Sequence, residues 1–219
     1  MTGERRRLAA IVAADVAGYS RLMGADEEGT IAALRAHRAE VIEPSLDRCH
    51  GRIANTAGDS FLIEFASAVE GLRCAIEIQQ GIAARNADIP EDRQLILRIG
   101  INVGDVVSNG DDLLGDGVNV AARLEALADS GGICISRSAR DQVRDRMDIE
   151  LEDLGEVGVK NIARPVRVFR VAGVGAAAQS AVGAPNTAKI RWFAFAAAAA
   201  GLAVIAGGGL WLSLQKTRP

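Results

Sequence analysis

The apolar positions of residues 1–171 follow two different periods. Short apolar runs predict strands, and longer segments with apolar residues three or four positions apart predict amphipathic helices. The predicted strands lie at 8–14, 52–56, 60–65, 94–103, 105–108, 133–135, 149–154 and 166–171, and the helices at 26–48, 67–86, from the turn at 109–117 to about 128, and 138–144. This order is β-α-β-β-α-β with additions. It predicts an α+β fold in which helices cover one face of a ferredoxin-like (palm-like) antiparallel sheet.

Two aspartates occupy the ends of predicted strands. Asp15 directly follows the first apolar run, and Asp59 lies at the tip of the predicted hairpin Ala57-Gly58-Asp59. If the two strands are neighbours, the carboxylates lie side by side. Two carboxylates and a backbone carbonyl are enough to hold Mg²⁺, which completes its coordination with water and substrate phosphates. Taken alone, an aspartate after a strand or in a Gly-Asp turn is far more often an ordinary turn residue than a metal ligand.

The chain after residue 171 has a different composition. Residues 172–190 are rich in Ala and Gly and predict a linker. Residues 192–214 carry no charge, which predicts a transmembrane helix over 191–214, followed by a short tail at 215–219. A buried Ala-rich helix is the alternative. With two basic residues on each side, the charges flanking this segment do not set its orientation.

Charge and cysteine content narrow the classes of partner. The chain has a net charge of −3, and all four charged residues beyond 171 are basic, so residues 1–171 carry −7. Such a surface does not supply the positive charge that nucleic-acid binding requires. Three separated cysteines favour reduced thiols over a disulfide framework or a zinc site.

Four motifs occur in a fixed order along residues 1–171. They are ADVAGYS at 14–20, TAGD at 56–59, GINVG at 100–104 and DLLGDGVNVAAR at 112–123. With these motifs, the chain from about Arg7 to Val171 resembles the catalytic domain of class III nucleotidyl (adenylate/guanylate) cyclases of the bacterial type. The resemblance implies that residues 1–171 form this domain, which works as a head-to-tail homodimer.

The resemblance also implies a role for each matching residue. Asp15, Asp59 and the carbonyl of Val16 match the ligands of two Mg²⁺ ions, with Mn²⁺ as an alternative. The turn at Gly18, Tyr19 and Ser20 would approach the substrate phosphates. Asp112 matches the residue that accepts a hydrogen bond from the amino group of adenine, and Lys160 matches the lysine that holds the terminal phosphates of the substrate. Asn119 would orient the ribose, and Arg123 would stabilise charge on the α-phosphate in the transition state.

Asn55 departs from the family pattern. Adenylate cyclases of this family usually carry Lys four residues before the second metal-binding aspartate, where it pairs with the aspartate at the purine. A neutral hydrogen bond contributes less than a charged one, so we expect purine recognition weakened by on the order of tenfold. Because Asp112 is a hydrogen-bond acceptor, like O6 of guanine, ATP should remain preferred over GTP.

The expected function is therefore synthesis of cyclic AMP from ATP, in signal transduction. A cytosolic substrate places residues 1–171 in the cytoplasm, anchored to the cell membrane by one C-terminal span. Two alternatives remain: a non-catalytic cyclase homology domain that regulates a partner chain, and a cyclase of relaxed purine specificity.

Overall fold

The computed structural model describes residues 5–109, 112–158 and 165–174. Eight strands and six α-helices make up most of this part of the chain, with a π-helical turn at Arg38–Ile42 and a 3-10 helix at Glu91–Arg93. The strands are β1 (Arg5–Val16), β2 (Arg52–Ala57), β3 (Ser60–Phe65), β4 (Leu97–Asn109), β5 (Asp112–Leu114), β6 (Ile133–Ser136), β7 (Leu151–Val157) and β8 (Val166–Val171). The helices are α1 (Tyr19–Ala25), α2 (Glu27–His37), α3 (Glu43–Arg48), α4 (Ala68–Asn86), α5 (Asp116–Leu127) and α6 (Arg137–Val143).

All of these strands belong to one sheet. Its order is β2-β3-β1-β4-β6-β8-β7, and β5 pairs with β4 beside this path. The first four strands of the order are antiparallel and form the predicted ferredoxin-like core. The prediction of a wholly antiparallel sheet is wrong, because β6 runs parallel to β4. The connection through α5 reverses the chain between these two strands, so the sheet is mixed.

Helices cover both faces of the sheet, not one as predicted. The side chains of Ile99 and Ile101 in β4 lie in the main core with α4 and α6. Residues of the opposite parity face α5, whose Ala121 packs with Ile11 and Val106 in a second core. Because alternate residues of a strand point to opposite faces, the near-continuous apolar sequence at the start of β4 reflects burial on both sides.

Several elements differ from the sequence prediction: strand β5 lies within the predicted turn at 109–117, and three further differences concern helices and β4. The segment that begins at Tyr19 is helix α1, although Gly18-Tyr19-Ser20 predicted a turn. The predicted helix 26–48 is α2 and α3 joined by a π-helical turn at Arg38–Ile42. The predicted strand at 105–108 is the second half of β4, which continues for 13 residues because it pairs with β1 along its whole length.

Gly100 allows α5 to approach the sheet. A Cβ atom at this position would collide with the carbonyl oxygen of Ala121 and the amide nitrogen of Glu125. We expect Gly100→Ala to lower the free energy of unfolding by about 3 kcal/mol, because the helix must move away from β4. Gly24→Ala is the matched control, since it adds a methyl group in open space within α1. Urea denaturation measures both, and equal midpoints for the two variants would contradict this account of the packing.

The described residues contain no helix that is both long and apolar enough to cross a membrane. The predicted linker at 172–190 is described only as far as residue 174. The predicted span at 191–214 and the tail at 215–219 lie outside the described residues. The three cysteines, Cys49, Cys74 and Cys134, are free and buried.

Candidate active site

Strands β1 and β3 bring Asp15 and Asp59 together. The two strands pair up to Ala14 and Phe61, so Asp15 at the end of β1 lies beside the start of β3. There the Ser60 hydroxyl donates a hydrogen bond of 2.9 Å to Oδ1 of Asp15. Asp59 immediately precedes Ser60 in a turn that Gly58 opens with a φ of 64°. The predicted neighbourhood of the two strands is therefore confirmed.

The two carboxylates influence each other directly. Burial, a hydrogen bond with Asp15 and the proximity of the Asp15 charge raise the pKa of Asp59 to about 6. The backbone N–H groups of Asp59 and Val16 oppose this rise because they stabilise the ionised form. A pair of carboxylates whose ionisation is mutually unfavourable gains free energy from a bound divalent cation.

This donor set fits magnesium. The hard oxygens of Asp15 and Asp59 are the ligand type that Mg²⁺ prefers, and Mg²⁺ needs only one or two carboxylates when phosphates supply other ligands. The carbonyl of Val16 follows Asp15 at the end of β1. In the part of the chain that the structure describes, no group of three or more His, Cys, Asp or Glu residues forms a metal cluster. The set is thus suited to an ion whose remaining ligands are water or substrate phosphates.

A cation of the protein itself also touches this pair. Arg98 lies opposite Asp15 in the register of β1 and β4, and its Nη2 donates to Oδ2 of Asp15 at 2.9 Å. The same Nη2 lies 3.1 Å from Oε1 of Glu125 on α5. Burial raises the pKa of Glu125 to about 7, although the charge of Arg98 opposes this rise. The four side chains form one electrostatic cluster.

The hairpin that holds Asp59 also holds Asn55. The side-chain Nδ2 of Asn55 donates to Oδ1 of Asp112 at 3.1 Å, which links β2 to β5. The backbone N–H of Leu113 donates to the same oxygen at 2.9 Å. Asn55 thus occupies the position relative to Asp112 that the resemblance assigns to lysine, with a neutral donor in place of a charged one.

Asn119 and Arg123 lie one helical turn apart on the exposed side of α5. The buried residues of this helix are Gly117, Ala121 and Leu124, which face the sheet. Among the described residues, neither Asn119 nor Arg123 has a hydrogen bond or ion pair with Asp15, Asp59 or any other group. The fold therefore does not bring this pair to the aspartates of its own chain. Lys160 lies outside the described residues.

The segment after Val16 leads directly into α1. Gly18 has a φ of 70° and forms the N-cap of this helix. Its carbonyl accepts hydrogen bonds from the N–H groups of Arg21 and Leu22. Tyr19 is partly buried against the main core, whereas Ser20 is exposed. The residues Gly18, Tyr19 and Ser20 thus follow Asp15 by three to five positions along the chain, at the start of α1.

Sequence reasoning missed Arg98, Glu125 and Ser60. A signal was present for Arg98, because it interrupts the near-continuous apolar sequence from Leu95 to Ile101, and a charge in a central strand requires a partner. Glu125 lies four residues after Ala121 and therefore on the sheet-facing side of α5. These two exceptions to the apolar pattern point towards each other across the interface between α5 and β4.

Comparisons with known proteins agree on one family. Residues 2–173 match the family described as "Adenylate and Guanylate cyclase catalytic domain". A protein of Rhizobium meliloti (strain 1021) that carries the provisional name adenylate cyclase 3 is 52% identical over 165 residues, which is 75% of this chain. The crystal structure of an "Adenylate/Guanylate Cyclase/Hydrolase" from Silicibacter pomeroyi is 45% identical, with a TM-score of 0.73, and the match covers 77% of this chain and 98% of that one.

More distant structures share the fold. The adenylyl cyclase CyaB from P. aeruginosa is 23% identical with a TM-score of 0.69, and the match covers 77% of this chain and 95% of that one. The aligned part of the chain spans only 28% of the length of the Rhizobium meliloti relative, so that protein contains much that has no counterpart here.

Proposed function

Because the chain belongs to the family of adenylate and guanylate cyclase catalytic domains, we propose that it converts ATP to 3′,5′-cyclic AMP and pyrophosphate. The observation that carries this proposal is the β2–β3 hairpin, which holds Asp59 beside Asp15 at its tip and Asn55 beside Asp112 four residues earlier. One element thus joins a site for phosphate-bound cations to a site for a purine. The name of the Rhizobium meliloti relative is consistent with adenine as that purine.

The hydrogen bonds of Asp112 support a preference for adenine. Both donors, Asn55 and Leu113, bond to Oδ1. Oδ2 is therefore the oxygen left to accept a hydrogen bond from the amino group of adenine. Guanine presents an acceptor, O6, at the corresponding position, and two acceptors repel each other. The Asn55–Asp112 pair should therefore favour ATP over GTP.

Asp15, Asp59 and the carbonyl of Val16 would hold two Mg²⁺ ions, or Mn²⁺ in their place. When bound, these ions supply activation of the ribose 3′-hydroxyl and neutralise charge on the departing pyrophosphate. Ser60 fixes one oxygen of Asp15 and would thereby help to orient this carboxylate towards the ions. The turn at Gly18, Tyr19 and Ser20, together with Lys160, would contact the phosphates.

A second copy of the chain would complete the site. This assembly is supported by the position of Asn119 and Arg123 on the exposed side of α5, away from the sheet that carries the aspartates. Arg123 would stabilise the negative charge that develops on the α-phosphate, and Asn119 would orient the ribose for in-line attack. A head-to-tail homodimer then contains two equivalent sites, each built from both chains.

We also propose that the segment 191–214 anchors the protein in the cell membrane, with residues 1–171 in the cytoplasm. The sequence supports this placement through 23 consecutive uncharged residues with basic residues on both sides. Cytosolic ATP would then reach the catalytic domain.

Parallel assays with ATP and GTP test the proposed substrate. The purified full chain in detergent is supplied with Mg²⁺ or Mn²⁺, and each cyclic product is quantified by chromatography. We expect a kcat/KM for ATP at least about tenfold above that for GTP, because of the acceptor at Asp112. Equal values would indicate a cyclase of relaxed purine specificity, and a preference for GTP would contradict the proposal.

Replacing the neutral partner of Asp112 tests the purine site separately. We expect Asn55→Lys to raise kcat/KM for ATP by about tenfold, because a charged donor binds Asp112 and adenine more strongly than an amide. Asn55→Ala, which removes the donor, should lower it. A lysine variant no better than the wild type would show that the bond between Asn55 and Asp112 does not limit adenine recognition.

A further inference from the structure

Arg98 contacts two carboxylates but donates a hydrogen bond to only one of them. Its Nη2 donates a hydrogen bond to Asp15, at the proposed cation site. The distance of 3.1 Å from the same nitrogen to Oε1 of Glu125 is an ion-pair contact, and this oxygen has no hydrogen-bond partner among the described residues. The Nε atom of Arg98 is likewise buried without an acceptor in the described part of the chain. One donor and one acceptor thus remain unpaired beside each other.

The close packing of α5 on β4 places Glu125 next to the sheet. Gly100, two residues after Arg98 in β4, allows the backbone of α5 to pass in contact with the strand. Glu125 lies at this point of closest approach, with its side chain only 13% exposed. Burying an ionised carboxylate without a hydrogen bond lowers the stability of the fold unless a group of opposite charge pairs with it. The formal charges that affect Glu125 are those of Arg98, Asp15 and Asp59.

A divalent cation at Asp15 and Asp59 would compete with Arg98. Arg98 already holds Oδ2 of Asp15 and Ser60 holds Oδ1, so an ion bound to Asp15 would share this carboxylate with the guanidinium, and the two positive charges would repel each other. Arg98 can leave Asp15 without becoming an unpaired buried charge only if another anion accepts it. Glu125 already lies within ion-pair distance of Arg98, and its Oε1 has no hydrogen-bond partner among the described residues.

We propose that Glu125 is a positioning residue that receives the Arg98 guanidinium when a divalent cation occupies Asp15 and Asp59. In the cation-free protein Arg98 neutralises Asp15, and in the cation-bound protein it is paired with Glu125. Glu125 therefore lowers the free energy required to release Asp15 to the ion, although it does not touch the ion itself. This inference rests on the proposed cation site, since it assigns no role to Glu125 without one.

Direct binding of Mn²⁺ in the absence of nucleotide tests the proposal without turnover. The full chain is titrated with Mn²⁺ at pH 8, and the free ion is measured by electron paramagnetic resonance. We expect Glu125→Gln to raise the dissociation constant by about tenfold, because Arg98 then stays on Asp15. Arg98→Met should lower the constant, since it removes the competing cation. Glu28→Gln, on the exposed side of α2, is the matched control and should bind as the wild type does.

A double-mutant cycle separates this role from a general effect of charge. If Glu125 acts through Arg98, Glu125→Gln has less than about a twofold effect on Mn²⁺ binding in the Arg98→Met background. The same tenfold loss in both backgrounds would overturn the proposal, because Glu125 would then act on the ion directly. Unchanged binding by Glu125→Gln would overturn it as well.

The Asp59→Asn variant tests the cation site separately from the role of Glu125. Asp59→Asn must weaken Mn²⁺ binding if the cation site exists. Failure of the wild type to bind Mn²⁺, or wild-type binding by Asp59→Asn, would overturn the cation site and this inference with it. Thermal unfolding confirms that each variant is folded. If Glu125→Gln does not fold, Glu125→Asp takes its place. Wild-type Mn²⁺ binding by Glu125→Asp, together with tighter binding by Arg98→Met, would support a role of Glu125 through the charge of Arg98. Unchanged Mn²⁺ binding by Arg98→Met would contradict that role.

Discussion

Replacing Asp59 by Asn is expected to lower kcat for cyclic AMP formation by about a thousandfold or more, the loss expected when a metal ligand worth several kcal/mol is removed. The substitution keeps the shape of the side chain at the hairpin tip and removes its charge. Activity is measured with the full chain and ATP, and the matched control is Asp88→Asn, which changes an exposed aspartate in the turn after α4. Retention of more than about a tenth of the wild-type activity would show that Asp59 is not a metal ligand of the reaction.

The stability of Asp59→Asn should distinguish loss of function from loss of fold. The folded protein raises the pKa of Asp59 to about 6, so ionised Asp59 opposes folding when no cation is bound. This opposition is absent at acidic pH and grows as the pH rises through about 6, because the folded state binds the proton more tightly than the unfolded chain. At pH 8 without divalent cation, the Asn variant should therefore unfold at the same urea concentration as the wild type or a higher one.

The second large effect concerns two chains. Arg123→Ala should lower kcat by about a hundredfold or more, because the transition-state charge loses its stabilising group. A heterodimer of one Asp59→Asn chain and one Arg123→Ala chain should nevertheless recover about half of the wild-type activity. In a head-to-tail dimer both substitutions fall in one site, and the other site is intact.

Two affinity tags allow this heterodimer to be purified from co-expressed chains. The matched control is a heterodimer of an Asp59→Asn chain with an Asp15→Asn chain, in which each site has lost one aspartate. We expect this control to remain inactive. If the Asp59→Asn and Arg123→Ala heterodimer is also inactive, each site is built from a single chain, which contradicts the proposed assembly.

Local patterns were sufficient to predict most of the fold. The hairpin strand at 60–65 coincides with β3, and Ser67, where the predicted helix 67–86 begins, accepts a hydrogen bond from the N–H of Val69 at the start of α4. These features depend on neighbouring residues, so the sequence displays them. The parallel pairing of β6 with β4 and the position of α5 on the second face depend on contacts between distant segments. A single sequence does not display those contacts.

The candidate site divides in the same way. Asp15 and Asp59 were predicted together because each ends a strand or turn, and the register of β1 and β3 brings them side by side. The sequence analysis did not identify Arg98 and Glu125, because the role of each depends on its contact with the other. A charge within β4 and a carboxylate on the inner side of α5 become informative only when Gly100 brings the two elements into contact.

The most direct test of the central claim is the identity of the product formed from ATP. The purified full chain, shown to be dimeric, is incubated with ATP and Mg²⁺ or Mn²⁺, and the products are identified by mass spectrometry. The account predicts 3′,5′-cyclic AMP and pyrophosphate in equal amounts. No cyclic product from ATP or GTP would contradict it, and would indicate instead a cyclase homology domain that regulates a partner chain.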